Sequence, residues 1–309
     1  MVTHEVGADS RRFRWDARGV TTRDELAPIV EISEMGALPD VVPCDVRWYL
    51  DGRSGRDAYD GGHLPGAVFV DLDEHLTSTL DTEVGPEVGR HPLPTPEAFA
   101  RSMGALGIGP DDPVVAYDDA GGMAAGRLVW MLRVLGRPAA LLNGGVAAWS
   151  GPLETSPTVR SPTVVPSQPW PTSAVASIEE VAEVATTGGA GELVLDARGA
   201  ERYRGEVEPV DPRAGHVPGA RNAPFAGNLE ADGPRAGGFR SPGDLAARYE
   251  ALGVVDAADV IAYCGSGVSA CHNLLAMEHA GLGRGRLFVG SWSQWSQSDR
   301  PAAVGPEPG

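Results

Sequence analysis

The hydrophobic positions of this 309-residue chain fall into two patterns that alternate along its length. Short unbroken apolar runs, among them VVPCDV at 41–46, VVAY at 114–117, LVL at 193–195 and VIAY at 260–263, read as strands buried on both faces. Between them lie longer stretches with apolar residues three and four apart, notably 124–135 and 269–280. Gly136 and Gly281 stand just beyond these stretches, so the spacing predicts helices with C-terminal stops. Strands alternating with helices predict a parallel sheet covered by helices on both faces, an α/β fold.

These blocks occur twice, in the same order. An apolar run leaving through Asp-x-Arg is found at 41–48 (VVPCDVRW) and again at 193–198 (LVLDAR). The turn Gly62-His63-Leu64-Pro65-Gly66-Ala67 returns as Gly215-His216-Val217-Pro218-Gly219-Ala220, with Gly and Pro at the positions that dictate a bend. VVAYD at 114–118 returns as VIAYC at 260–264, each followed by a Gly-rich loop and a helix, so Asp118 stands where Cys264 stands. The repeat predicts two tandem domains, 1–153 and 174–309, joined by an extended linker at 154–173 that is rich in Pro, Ser and Thr. The Pro/Gly-rich stretch 301–309 is expected to be disordered.

Charge narrows the chemistry. The formal net charge is −17 and all 25 basic residues are arginine, since the chain has no lysine. So acidic a surface repels nucleic-acid phosphates and anionic membranes, and the missing lysine excludes Schiff-base and P-loop chemistry. No window approaches a membrane span, and 1–16 lacks the apolar core of a signal peptide, so a cytoplasmic protein is expected. Cys44, Cys264 and Cys271 are an odd number without CxxC spacing, which argues against a disulfide framework and a structural zinc site.

The chemistry concentrates at Cys264. A strand ends there and a helix begins near Ser269, so Gly265-Ser266-Gly267-Val268 must turn tightly, and the two glycines permit it. Such a loop turns backbone N–H groups inward while the helix N-terminus adds positive potential, which favours an anion at its centre; the natural one is the Cys264 thiolate. A lone cysteine at a strand end is more often a small buried hydrophobe, and it is the loop that reverses this reading. Phosphatase chemistry needs an arginine six positions on, but Ala270 stands there and the loop holds no cation to clamp a phosphoryl group. Cys44, inside an apolar strand, is expected to be inert, and Cys271 to pack against the sheet.

From about Pro39 to Trp295 the ordered motifs, namely the Cys264-Gly265-Ser266-Gly267-Val268-Ser269 loop, the doubled Gly-His-x-Pro-Gly-Ala turn and the Asp-x-Arg strand exits, resemble two-domain rhodaneses. The CGSGV loop is similar to that of the 3-mercaptopyruvate sulfurtransferase branch. The resemblance implies two rhodanese-like domains with catalytic chemistry only in the second. Cys264 would carry sulfur as a persulfide, and Gly265, Gly267, Val268 and Ser269 would line the loop. It further implies a relay of Ser266 with His63 and Asp57 from the first domain, and Arg202 and Arg213 as holders of the substrate carboxylate. Asp57 stands closer to His63 than the family spacing. His216, in the equivalent turn, is expected to be structural. The implied partners are a small-molecule sulfur donor and a thiol acceptor such as a thioredoxin-like protein, or cyanide, with no metal or organic cofactor. A thiosulfate sulfurtransferase and a non-enzymatic sulfur relay stay open as alternatives.

Overall fold

A computed structural model describes residues 26–78, 88–187, 191–233 and 235–309. The first half runs β1 (Ile29–Val30), α1 (Ile32–Met35), β2 (Val42–Asp45), α2 (Gly55–Gly61), β3 (Val68–Phe69), α3 (Leu72–His75), α4 (Pro96–Ala105), β4 (Val114–Tyr117), α5 (Ala125–Val134) and β5 (Ala139–Leu142). The second half repeats the plan with β6 (Val175–Ala176), α6 (Ile178–Thr187), β7 (Leu193–Asp196), α7 (Ala200–Tyr203), β8 (Arg221–Asn222), α8 (Pro242–Ala251), β9 (Val260–Tyr263), α9 (Ser269–His279), β10 (Arg286–Phe288) and α10 (Ser291–Trp295). The sheet orders are β1-β5-β4-β2-β3 and β6-β10-β9-β7-β8, and every strand pair is parallel.

The unbroken apolar runs are the central strands, covered on both faces as their composition requires: every residue of β2, β4, β5 and β9 is buried. Register is duplicated too, with Asp45 opposite Tyr117 and Asp196 opposite Tyr263. The helices preceding β4 and β9 start alike, on a Thr95 or Ser241 cap followed by proline, with the cap hydroxyl accepting the N–H of Ala98 or Asp244 at 3.2 Å.

Both halves carry the same buried polar knot. Arg47 pairs with Asp45 and donates to the carbonyl of Gly62 at 2.8 Å; Arg198 pairs with Asp196 and donates to that of Gly215 at 2.7 Å. This is the physical content of the repeated Asp-x-Arg: a buried carboxylate and guanidinium satisfy each other and fasten the strand exit to the Gly-His turn.

The domains are fused by their equivalent helices. On α5, Gly126 faces the backbone of His272 on α9, and Arg133 pairs with Glu278 at 2.7 Å. One continuous cluster of buried residues takes Leu128 and Met131 from the first domain and Leu274 and Leu287 from the second. The segment after Glu154 lies along the first domain, where Thr163 N–H donates to the Gly104 carbonyl at 2.9 Å and Trp170 Nε1 to that of Pro94 at 2.8 Å. The stretch 301–309, expected to be disordered, is packed instead. Ala303 forms a β-bridge with His216, and the Gly219 N–H donates to the Pro308 carbonyl at 2.6 Å. Backbone groups on the second-domain turn find their partners there, which composition does not reveal. Among the described residues no helix is long and apolar enough to cross a membrane.

Candidate active site

Cys264 follows directly on β9, at the start of the connection to α9, and is buried. Its backbone is clamped from the opposite side by the first turn of α10. Ser291, held at φ 52°, accepts the Cys264 N–H at 3.1 Å; Trp292 N–H donates to the Cys264 carbonyl at 3.0 Å, and Ser293 N–H to that of Gly265 at 2.9 Å. The left-handed backbone at Ser291 is uncommon for a side chain of this kind and is held by the Ser291 hydroxyl, which also donates to the Phe288 carbonyl at 2.9 Å. Gly267 has φ 76°, and a Cβ there would stand 2.5 Å from the Val289 carbonyl oxygen, so the loop requires glycine at that point.

The first domain shows what such a loop binds. The Asp118 carboxylate, at the position of Cys264, accepts the N–H groups of Ala120, Gly122, Ala124 and Ala125 at 2.8–2.9 Å. Burial pushes the Asp118 carboxyl up, and those four amides pull against it. At the equivalent positions of the second domain stand Ser266, Val268, Ala270 and Cys271, around a cysteine instead of a carboxylate. The strand-loop-helix of the first domain is thus an anion receptor filled by its own carboxylate, whereas in the second the Cys271 N–H donates to the Val268 carbonyl at 3.1 Å.

The other two cysteines are not poised for such chemistry. All three are free thiols. Burial pushes both Cys44 and Cys271 up to about 12, and the Cys271 thiol lies 3.4 Å from the Gly267 carbonyl oxygen. Beneath the loop lies Arg127 of α5, wholly buried, which donates to the Gly267 carbonyl at 2.7 Å and to that of His91 at 2.9 Å. One arginine from the first domain therefore ties together two segments of the site.

His91 is the partner of Ser266. Its Nδ1 lies 2.7 Å from the Ser266 Oγ and its Nε2 3.3 Å from Asp73 Oδ1, while Trp48 Nε1 donates to Asp73 Oδ2 at 2.9 Å. The hydrogen bond from His91, helped by that from Trp48 and opposed by partial burial, holds the Asp73 carboxyl below its usual range. The resemblance pointed to His63 and Asp57 for these roles, and the structure places both elsewhere. His63 is buried, stacked on Tyr59 with ring centroids 3.8 Å apart, and its Nδ1 is 2.8 Å from the Tyr59 carbonyl. His216 repeats this arrangement on Tyr203, at 3.7 Å and 2.7 Å. Both histidines are turn-fasteners, and His63 is spent on the same backbone contact as its twin. Asp57 is exposed in the first turn of α2, near the Ser54 cap. The repeated blocks drew attention to His63; His91 sits in Gly89-Arg90-His91-Pro92, which belongs to none of the repeated blocks.

Arg202 of α7 does lie over the loop: a Cβ on Gly265 would be 3.5 Å from its Nη1. It pairs with Glu208 at 2.6 Å and Asp211 at 3.4 Å. Arg213 does not join it. Its guanidinium donates to the carbonyls of Trp295, Ser296 and Arg300 at 2.8–2.9 Å, closing the C-terminal end of α10. Its place beside Gly265 is taken by Arg90, whose Nη2 would be 3.1 Å from the same Cβ, and which sequence reasoning did not single out. Val268 is buried in a small apolar cluster with Leu72 and Ala124 of the first domain, and Ser269 opens α9.

The chain matches the family described as rhodanese-like domain twice, over residues 33–152 and 177–298. A Pseudomonas aeruginosa protein named "Probable 3-mercaptopyruvate sulfurtransferase" is 42% identical, over 86% of this chain and 93% of its own. The bovine thiosulfate sulfurtransferase is 33% identical, over 90% of this chain and 92% of its own. Among solved structures, the 3-mercaptopyruvate sulfurtransferase from Leishmania major superposes with a TM-score of 0.76 at 30% identity, covering 89% of this chain and 75% of that one. Duplicated sheets, a duplicated strand-loop-helix connection and two matches that cover most of the sequence lead to one conclusion: the chain belongs to the rhodanese family, with two rhodanese domains, and Cys264 lies in the second.

Proposed function

We propose that this chain, a sulfurtransferase, takes its sulfur from 3-mercaptopyruvate, carries it on Cys264 as a persulfide, and passes it to a thiol or to cyanide. Relatives named for mercaptopyruvate and for thiosulfate both occur, so their names do not choose the donor. The observation that carries the choice is the 2.7 Å contact of Ser266 with His91, backed by Asp73. Thiosulfate gives up its outer sulfur by releasing sulfite, a stable anion. Mercaptopyruvate must release an enolate, which needs a proton and a donor at its oxygen.

The Cys264 thiolate attacks the thiol sulfur of the donor, a sulfur–sulfur bond forms, and the carbon–sulfur bond breaks with its electron pair left as the enolate of pyruvate. The proton carried by the donor's sulfur is the one the enolate carbon takes up. Ser266 and His91 move it, so the half-reaction ends with pyruvate and an anionic persulfide and consumes no outside acid or oxidant. The persulfide sits in a loop of the kind that holds the Asp118 carboxylate in the first domain. Arg202 holds the donor's carboxylate. An acceptor thiol or cyanide then attacks the outer sulfur and returns Cys264 to its thiolate, a ping-pong sequence. A thioredoxin-like protein fits as the acceptor, because it offers an exposed thiolate, and the reduced state that chemistry requires fits a cytoplasmic setting.

The test is steady-state turnover of the purified protein with 3-mercaptopyruvate and with thiosulfate, against one acceptor. A Cys264-dependent preference for mercaptopyruvate is expected. Preference for thiosulfate sinks the donor assignment, and absence of Cys264-dependent turnover with either would make the chain a sulfur relay.

A further inference from the structure

We infer that Arg90, lent by the first domain, is the second carboxylate-binding arginine of this site, and that Asp211 sets how much anionic charge the arginine pair accepts. The inference rests on the mercaptopyruvate reading and names the residues that select the donor. Two guanidinium groups from different domains converge on Gly265, the residue after the nucleophile: a Cβ there would stand 3.1 Å from Nη2 of Arg90 and 3.5 Å from Nη1 of Arg202. Such a pair can grip one carboxylate, or its carboxylate and carbonyl together. The Nε of Arg202 is buried with no hydrogen-bond partner among the described residues, a donor that a ligand would satisfy.

Arg90 is positioned at both ends. Its backbone N–H donates to the Ser293 hydroxyl at 3.1 Å, on the same turn that clamps Cys264, and its guanidinium pairs with Asp211. Asp211, with its side chain only 2% exposed, also takes Arg202 at 3.4 Å. Glu208 takes Arg202 at 2.6 Å and Arg198 at 3.3 Å, and its carboxylate accepts the N–H groups of Val210 and Asp211, which fixes that loop under the arginines.

The charges in this network balance. Arg90, Arg198 and Arg202 stand against Asp196, Glu208 and Asp211, three of each sign. This network, neutral in itself and set beside the Cys264 thiolate, receives one more negative charge with mercaptopyruvate and two with thiosulfate. In a partly desolvated cleft the second charge is costly, so the network discriminates by charge number as well as by shape. Removing the Asp211 charge leaves the network with one net positive charge and should favour the dianion.

The experiment uses the full chain and three variants, Arg90→Gln, Arg90→Lys and Asp211→Asn, with KM and kcat determined separately for 3-mercaptopyruvate and thiosulfate and melting curves recorded for each. For Arg90→Gln a rise of about tenfold or more in the mercaptopyruvate KM is expected, with kcat changed by less than about threefold, because uniform binding is lost. Arg90→Lys keeps the charge without the fork and should recover only part of that loss; it also stands in if the Gln variant melts early. Asp211→Asn should raise the thiosulfate-to-mercaptopyruvate ratio of kcat/KM by about tenfold. An unchanged KM in both Arg90 variants overturns the arginine assignment, and an unchanged or reversed ratio in Asp211→Asn overturns the charge-counting role. A wild-type enzyme active on thiosulfate alone would instead refute the mercaptopyruvate reading, and the inference with it.

Discussion

Substituting His91 by alanine should slow turnover of mercaptopyruvate far more than turnover of thiosulfate. The imidazole is buried between Ser266 at 2.7 Å and Asp73 at 3.3 Å, which is the geometry of a proton carrier with an orienting carboxylate. A positioned acid–base group contributes about 10²–10⁴-fold, or ~3–5 kcal/mol of barrier. That loss belongs only to the half-reaction that must protonate a carbon leaving group. Asp73 is more than half exposed and its contact is longer, so Asp73→Asn should cost on the order of tenfold. The decisive assay is single-turnover release of pyruvate from stoichiometric mercaptopyruvate, beside single-turnover release of sulfite from thiosulfate. A mercaptopyruvate rate lower by about 10²-fold or more, with sulfite release within about threefold of wild type, supports the relay. Equal losses with both donors would refute it and make His91 a support for the Cys264 loop. Loss of neither would remove Ser266 and His91 from the mechanism.

Other substitutions test the structural assignments. His63→Gln should lower the melting temperature without altering the ratio of the two donor activities, as His216→Gln should, because both histidines fasten a turn to a tyrosine carbonyl; a donor-selective effect at His63 would contradict this. Arg213→Ala removes three hydrogen bonds to the end of α10, so thermal melts should show a loss of ~2–4 kcal/mol with mercaptopyruvate KM little changed, opposite to Arg202→Ala. Burial pulls the His272 imidazole from 6.5 down to about 4, and its Nε2 meets the Gly121 carbonyl across the domain interface at 3.0 Å. The unfolded chain therefore binds this proton first, and stability, whole above pH 6.5, falls by roughly 3 kcal/mol as the pH drops to 4; His272→Gln should flatten that slope in urea titrations. Burial alone would raise the Glu278 carboxyl, but Arg133 and Arg284 outweigh it and hold it below the usual range. Its contribution is present above the unfolded carboxylate range and fades as pH falls through the depressed folded value, so Glu278→Gln should destabilise at pH 7 and progressively less as the pH falls below the usual carboxylate range.

The sequence by itself determined the features that local chemistry dictates. Apolar runs at 114–117 and 260–263 can only be strands buried on both faces, Gly267 can only be a turn, and a repeat of three ordered blocks can only be a duplicated unit. Cys264 was legible as the candidate nucleophile because its loop and the helix that follows lie next to it in the chain. The residues that complete the site from afar were legible only in the tertiary structure. His91 and Arg90 reach the second domain from a segment outside the repeated blocks, and the distances that matter span 175 residues to Ser266 and 121 to Asp211. His63 matched the motif, yet packing against Tyr59 assigned it to the turn. Arg213 matched by position, and the carbonyl ends of α10 took it. Hydrophobic period and turn chemistry are properties of neighbours along the chain, whereas which arginine or histidine faces a cleft depends on how two folded domains dock, and that information is carried by the packed interface of α5 and α9.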